Sequence, residues 1–268
     1  MWSALLFLGV VVGLLAGLFG IGGGTLLVPV LTLLFLGGGM ESSAALHLAL
    51  GSSMASIVVT ACASAWAHYK LGTIRWQLVA QLSPGIVVGT AVVALLVPYL
   101  DARGVAAFFV LYVVAVACHM LYQPQRSGGR LLPCGLALSL IGGSIGGISA
   151  LVSIGGGTMV VPFLSWCGVT IQQAIGTSAV IGVVISVVGT ICYGAANISY
   201  GAANITAVDS MVTGAIYLPA VLLISVASMA MAPVGARWGQ RVSAQQLRYG
   251  YVAMLFMLSV VMLLALLV

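Results

Sequence analysis

The groups in this sequence best placed to do chemistry belong to the backbone. Ile21-Gly22-Gly23-Gly24-Thr25-Leu26-Leu27-Val28-Pro29 recurs in the second half of the chain as Ile154-Gly155-Gly156-Gly157-Thr158-Met159-Val160-Val161-Pro162, with seven of nine positions identical. Glycine costs about 1 kcal/mol in a helix interior, and proline turns the residue before it away from helical angles. Each copy therefore predicts a broken helix. A helix that starts inside a membrane presents unpaired N–H groups and roughly half a positive charge at its N-terminus. That combination suits a small anion without a buried Lys or Arg. Gly22, Gly23, Gly24 and Thr25, with Gly155, Gly156, Gly157 and Thr158, are the predicted substrate-binding residues. The glycines let the backbone approach closely, and the threonines add hydroxyl donors. The plainer role for such glycines is close helix packing of the GxxxG kind; two copies with the same Thr and Pro favour a site.

A second matched pair follows each triplet. Leu50-Gly51-Ser52-Ser53 corresponds to Ile175-Gly176-Thr177-Ser178, at a slightly shorter offset because the first half carries a longer loop around Gly37 to Glu41. Ser52, Ser53, Thr177 and Ser178 are expected to line the same cavity, although hydroxyls in membrane helices also satisfy nearby carbonyls or a neighbouring helix. Ser56, Thr60 and Ser64 continue the stripe one helical turn at a time without a counterpart in the second half, and stay outside the site. His47 is an ionisable group in an apolar window and so a candidate for coupling transport to protons. Gln172 occupies the matching position, and an interfacial place for His47 is the competing reading. His68 and His119 fall near expected helix ends and read as interfacial. Glu41, Asp101 and Asp209 all fall in loops, leaving no carboxylate at membrane depth for proton or sodium coupling.

Other chemistries find no support. The five cysteines lack CxxC spacing, so neither a metal site nor a disulfide framework is expected. Gly20-Ile21-Gly22-Gly23-Gly24-Thr25 resembles a dinucleotide-binding turn only superficially, lacking a preceding strand and an acidic ribose partner, and no Gly-Lys-Ser or Gly-Lys-Thr is present for ATP. No cofactor is expected. An intramembrane enzyme would need a nucleophile and base, or a metal cluster, at one depth, and the His and Cys spacing offers neither.

Composition fixes the setting for these residues. Of 268 residues, 62% are hydrophobic and only 4% charged, against roughly 25% charged in a soluble domain. Long uncharged windows match the roughly 20 apolar residues that a helix needs to cross a bilayer. The fold class is an all-α polytopic membrane protein. The net charge of +5 comes from cations scattered through short loops, which excludes a nucleic-acid face and fits the positive-inside rule. The opening stretch has no basic n-region and no A-x-A site, and is read as mature protein.

Apolar segments are expected near Leu5 to Leu36, Ala44 to Ala67, Gln77 to Val97, Gly104 to Leu121, Leu132 to Trp166, Gln172 to Tyr193, Met211 to Ala232 and Tyr249 to Val268. The loop Pro98 to Arg103 resembles Pro233 to Arg237, which makes the chain two four-segment repeats, residues 1–125 and 126–268. Each repeat opens with a broken or re-entrant helical segment. After the break, Pro29 to Leu36 would give only about 12 Å of helix, too short to cross. If Leu132 to Trp166 returns to its entry side, seven loop cations face one side and only Arg103 the other; a full crossing would split them four and four. The return is preferred, and each half then crosses an odd number of times, so the repeats are expected to be inverted, as in many secondary transporters.

The duplicated Ile-Gly-Gly-Gly-Thr element, the Gly-Ser-Ser and Gly-Thr-Ser that follow, and His68-x3-Gly72-x-Ile74-x-Trp76 ahead of Leu82-Ser83-Pro84-Gly85 together resemble the sulfite exporter TauE/SafE family of membrane permeases. The similarity runs over essentially the whole chain, except that the second half lacks the His-x3-Gly-x-Ile-x-Trp stretch. The resemblance implies a multi-pass permease of the inner or plasma membrane for sulfite, a sulfonate or a related small sulfur-containing anion, with room for a homodimer. The residues themselves indicate only a small anion bound at a midplane site. A permease or channel for a different small solute is the alternative.

Overall fold

The computed structural model describes residues 2–20, 23–122, 135–195 and 212–267. Gly22, the acid Asp209, the loop cations Arg126 and Arg130, and the expected boundary between repeats at residues 125–126 lie outside them. The described residues form ten α-helices: α1 (Trp2–Phe19), α2 (Gly24–Gly37), α3 (Ser42–Lys70), α4 (Trp76–Leu96), α5 (Ala102–Tyr122), α6 (Leu136–Leu151), α7 (Gly157–Trp166), α8 (Ile171–Ala195), α9 (Leu218–Arg241) and α10 (Ala244–Leu267). A 3-10 turn, Val97–Tyr99, follows α4, and a two-stranded antiparallel hairpin, β1 (Val212–Thr213) with β2 (Ile216–Tyr217), precedes α9. Seven helices are long and apolar enough to cross a membrane: α1, α3, α4 with its 3-10 turn, α5, α8, α9 and α10. The protein is an all-α multi-pass membrane protein.

Two expectations change in detail. The helix resumes at the glycines rather than near the prolines: α2 begins at Gly24 and α7 at Gly157, with Pro29 and Pro162 inside them. The interruption sits where backbone angles turn left-handed, at Gly20 (φ 67°) and Gly23 (φ 87°) in the first copy and Ser153 (φ 49°) and Gly156 (φ 50°) in the second. Pro233 to Arg237 is not a loop but the interior of α9, which starts at Leu218 and runs to Arg241. The hairpin occupies the start of the expected Met211 to Ala232 span, and Pro219 suits the first turn of α9 because proline there forfeits no helical hydrogen bond.

Small residues bring the outer helices together. A β-carbon on Gly9 or Gly13 of α1 would strike the backbone of Ile224 or Ser228 in α9, and one on Gly142 or Gly146 of α6 would strike that of Leu82 or Ile86 in α4. These contacts correspond by constant offsets. The shift that carries the first glycine triplet onto the second also carries Gly9 and Gly13 onto Gly142 and Gly146, and one somewhat longer shift carries Leu82 and Ile86 onto Ile224 and Ser228. The first helix of each half thus packs on the third-segment helix of the other. In lipid, where burying apolar surface drives little association, such backbone approach is a main source of helix adhesion. Helices α3 and α8 pack against each other in the middle, as do α5 and α10 at one side.

Candidate functional site

The two breaks meet in the interior. A β-carbon on Gly24, at the start of α2, would collide with the Ser153 carbonyl and with Ile154 Cα in the break before α7. Gly23, Gly24, Thr25, Gly155, Gly156, Gly157 and Thr158 are all buried, the two threonines at 1% exposure. No side chain caps either helix; the N-cap positions are Gly23 and Gly156. At the second break the N–H groups of Gly156 and Gly157 fold back on the carbonyls of Ile154 and Gly155. Helices α2 and α7, at 14 and 10 residues, fall short of the roughly 30 Å hydrocarbon thickness. The Thr158 hydroxyl pairs with the Tyr112 hydroxyl of α5 at 2.9 Å. Thr25 makes no side-chain hydrogen bond among the described residues.

The serine and threonine pairs tie the breaks together crosswise. Ser53, on α3 of the first half, donates to the Ser153 carbonyl of the second break at 3.4 Å. Ser178, on α8 of the second half, donates to the Gly20 carbonyl of the first break at 3.1 Å, with the Ile175 carbonyl as a local alternative at 2.8 Å. The neighbouring hydroxyls accept: Ser52 Oγ takes the Tyr217 N–H at 2.8 Å and Thr177 Oγ1 the Arg75 N–H at 3.0 Å. Tyr217 and Arg75 are the N-cap residues of α9 and α4. Gly51 and Gly176 allow this, since a β-carbon there would meet Ala215 or Thr73 in the segments leading into those helices. All four hydroxyl residues are fully buried.

Several of these partners were invisible in the sequence. Gly214 (φ 58°) and Ala215 stand to Gly72 (φ 67°) and Thr73 at the offset that relates Ser228 to Ile86, so the hairpin before α9 reproduces Gly72-x-Ile74 as Gly214-x-Ile216. The second half therefore retains the middle of a stretch it was expected to lack, without its Trp. His68, in the last turn of α3, is buried: at 2% exposure its Nε2 faces the Gly17 carbonyl at 3.1 Å and its Nδ1 the Thr73 hydroxyl at 3.1 Å. Ser56 and Thr60 bond the carbonyls one turn before them, Thr60 also meets the Ser228 hydroxyl at 2.6 Å, and Ser64 donates to the Ala16 carbonyl. Their stripe is structural.

His47, at 5% exposure, is held between two carbonyl oxygens, Ser43 O at 2.8 Å from Nδ1 and Val97 O at 3.3 Å from Nε2. A neutral imidazole has one N–H and satisfies one such acceptor; only the imidazolium satisfies both. Among the described residues no group of His, Cys, Asp or Glu is arranged to hold a metal ion. A cavity of about 540 Å³ opens between α4 and α6, lined by Gly89, Val92, Gly143, Ser144 and Gly147 among others and by no residue of either glycine triplet.

Long apolar helices, with two shorter ones that begin at glycine breaks meeting in the interior, define a multi-pass membrane protein with discontinuous helices at its centre. The sulfite exporter TauE/SafE family model matches residues 5–262, and the chain belongs to that family. It is 36% identical over 256 residues, 95% of each chain, to a probable membrane transporter protein of Haemophilus influenzae. It is 28% identical over 184 residues, 65% of each chain, to a probable membrane transporter protein of Methanocaldococcus jannaschii. No solved structure matches it significantly. The protein is a membrane transporter of the TauE/SafE type.

Proposed function

We propose that this transporter moves a small sulfur-containing oxyanion, sulfite or a sulfonate, outward across an inner or plasma membrane, by alternating exposure of a midplane site between the two breaks. The observation that carries this reading is the contact of Gly24 with Ser153 and Ile154, which places the start of α2 against the break before α7. Helix N-termini attract anions through backbone N–H groups, and the candidate spans contain no lysine or arginine beside these breaks to do so. The constant offsets between matched elements, and the crosswise contacts that follow them, favour two repeats of inverted topology. In this reading Gly23, Gly24, Thr25 and Thr158 face the anion, while Gly155, Gly156 and Gly157, where the Gly156 and Gly157 N–H groups turn onto the Ile154 and Gly155 carbonyls, let the backbone come close to it. Ser52, Ser53, Thr177 and Ser178, whose hydrogen bonds are made within the protein, hold those groups in place.

Flux into proteoliposomes of sulfite, thiosulfate, a sulfonate and an uncharged control tests the reading; equal flux of the uncharged control refutes it. The double variant Thr25→Val, Thr158→Val is expected to weaken sulfite binding by about thirtyfold while the protein still expresses, because two hydroxyl donors of about 1 kcal/mol each are removed. Unchanged binding would remove those hydroxyls from the site.

Proton coupling falls to His47 in this proposal. Uptake of a proton lets its ring satisfy both Ser43 O and Val97 O. His47→Gln is expected to retain binding of the anion and to abolish uptake driven by an imposed pH gradient, measured in the same vesicles; gradient-driven uptake equal to that of the unaltered protein would exclude the residue.

A further inference from the structure

We infer that the Ser153 hydroxyl donates directly to the transported anion and helps set which anion is preferred; this rests on the function proposed above. Among the described residues Ser153 is the only non-glycine with a positive φ, 49°. Left-handed angles strain any residue that carries a β-carbon. Its counterpart in the first copy is Gly20, which holds φ 67° without that strain. Glycine would therefore serve the backbone of the second break as it serves the first.

The side chain does not repay the strain within the protein. Ser153 is wholly buried, and its Oγ has no hydrogen-bond partner. Its neighbour Tyr193 gives its hydroxyl proton to the Ala150 carbonyl at 3.0 Å, and the Tyr193 oxygen, though still able to accept, lies outside hydrogen-bond geometry with the Ser153 hydroxyl. Buried polar atoms left unpaired are rare and unfavourable. The other buried hydroxyls without a partner among the described residues, Thr90, Ser149, Ser165, Thr190, Ser225 and Tyr251, all lie within helices; Ser153 alone lies in a break. It is also the residue whose carbonyl abuts Gly24 at the start of α2 and accepts the Ser53 hydroxyl. Strain and an unpaired hydroxyl, both removable by glycine, are placed together where the anion is proposed to bind. An oxyanion accepts several hydrogen bonds at once, and a hydroxyl donor present in one break and absent from the other makes the site asymmetric. Such a donor distinguishes anions by where their oxygens fall.

The test compares the unaltered protein with Ser153→Gly and Ser153→Ala, measuring affinity for sulfite and thiosulfate in purified protein and flux in proteoliposomes. Both variants are expected to bind sulfite about tenfold more weakly, the cost of one hydrogen bond to a charged group. The sulfite-to-thiosulfate ratio should change as well. Without anion, Ser153→Gly should melt no lower than the unaltered protein, because glycine suits the backbone; it carries the test if Ser153→Ala fails to fold. Unchanged affinity and ratio in Ser153→Gly would overturn this inference and leave the anion site standing. An unaltered protein that binds no sulfur anion would overturn the proposed function and this inference with it.

Discussion

Gly24→Ala is expected to bring sulfite flux to background and to lower folding stability by about 1–3 kcal/mol, the usual range for overpacking a close contact. The added methyl would land against the Ser153 carbonyl oxygen, with Ile57 Cδ1 at 2.6 Å and Ile154 Cα at 3.1 Å. Two of these three atoms are backbone and cannot swing aside. Relief then requires α2 to withdraw from the second break, which separates the groups proposed to share the anion. The same movement strains the Ser53 bond, because the struck oxygen is the one Ser53 holds. Gly37→Ala, at the other end of the same helix, is the matched control: a β-carbon there meets nothing within 4 Å. It should transport normally and melt at or above the temperature of the unaltered protein, since alanine favours helix. Normal flux in Gly24→Ala, measured in proteoliposomes alongside this control, would show that close approach of the two breaks is not needed.

How far the sequence reading reached depended on which physical signal each element carries. Hydropathy placed most of the long helices to within a few residues, because a span must be apolar along most of its length, but it set α9 at Met211 to Ala232 where the helix runs Leu218–Arg241. The glycine triplets announced both interruptions, yet the proline misled about where each helix restarts. Pro29 lies well inside the helix begun by Gly24, where the left-handed angles of Gly20 and Gly23 have already turned the chain. The hairpin before α9 escaped notice because two short strands leave no periodicity to read. Its kinship with the Gly72 turn rests on two shared residues at an offset unlike those of the triplet or the serine pair. The hydroxyls were legible as a group, but their partners were not: Ser53 meets Ser153 and Ser178 meets Gly20 across the two halves, a relation that hydropathy cannot encode. The Gly9 and Gly13 stripe was legible in principle, since it repeats at the triplet's own offset as Gly142 and Gly146.

The crosswise serines give the second large effect. Ser53→Ala leaves the Ser153 carbonyl, and Ser178→Ala the Gly20 carbonyl, without a hydroxyl donor in a buried region; each loss is expected to destabilise by about 1–3 kcal/mol. The 3.1 Å bond of Ser178 should matter more than the 3.4 Å bond of Ser53. Both ties brace one contact between the breaks, so the double variant should depart from additivity by more than about 0.5 kcal/mol in a thermal or denaturant cycle. Flux should fall with stability, because a break that loses its brace no longer holds its amides toward the anion. The rival role, in which these hydroxyls touch the anion themselves, predicts a different pattern. Alanine would then weaken sulfite binding and leave the anion-free protein as stable as before, and the two losses would add without coupling in the anion-free state. Measuring stability without anion therefore separates bracing from contact. Two independent, anion-dependent losses would return Ser53 and Ser178 to the groups that touch the cargo.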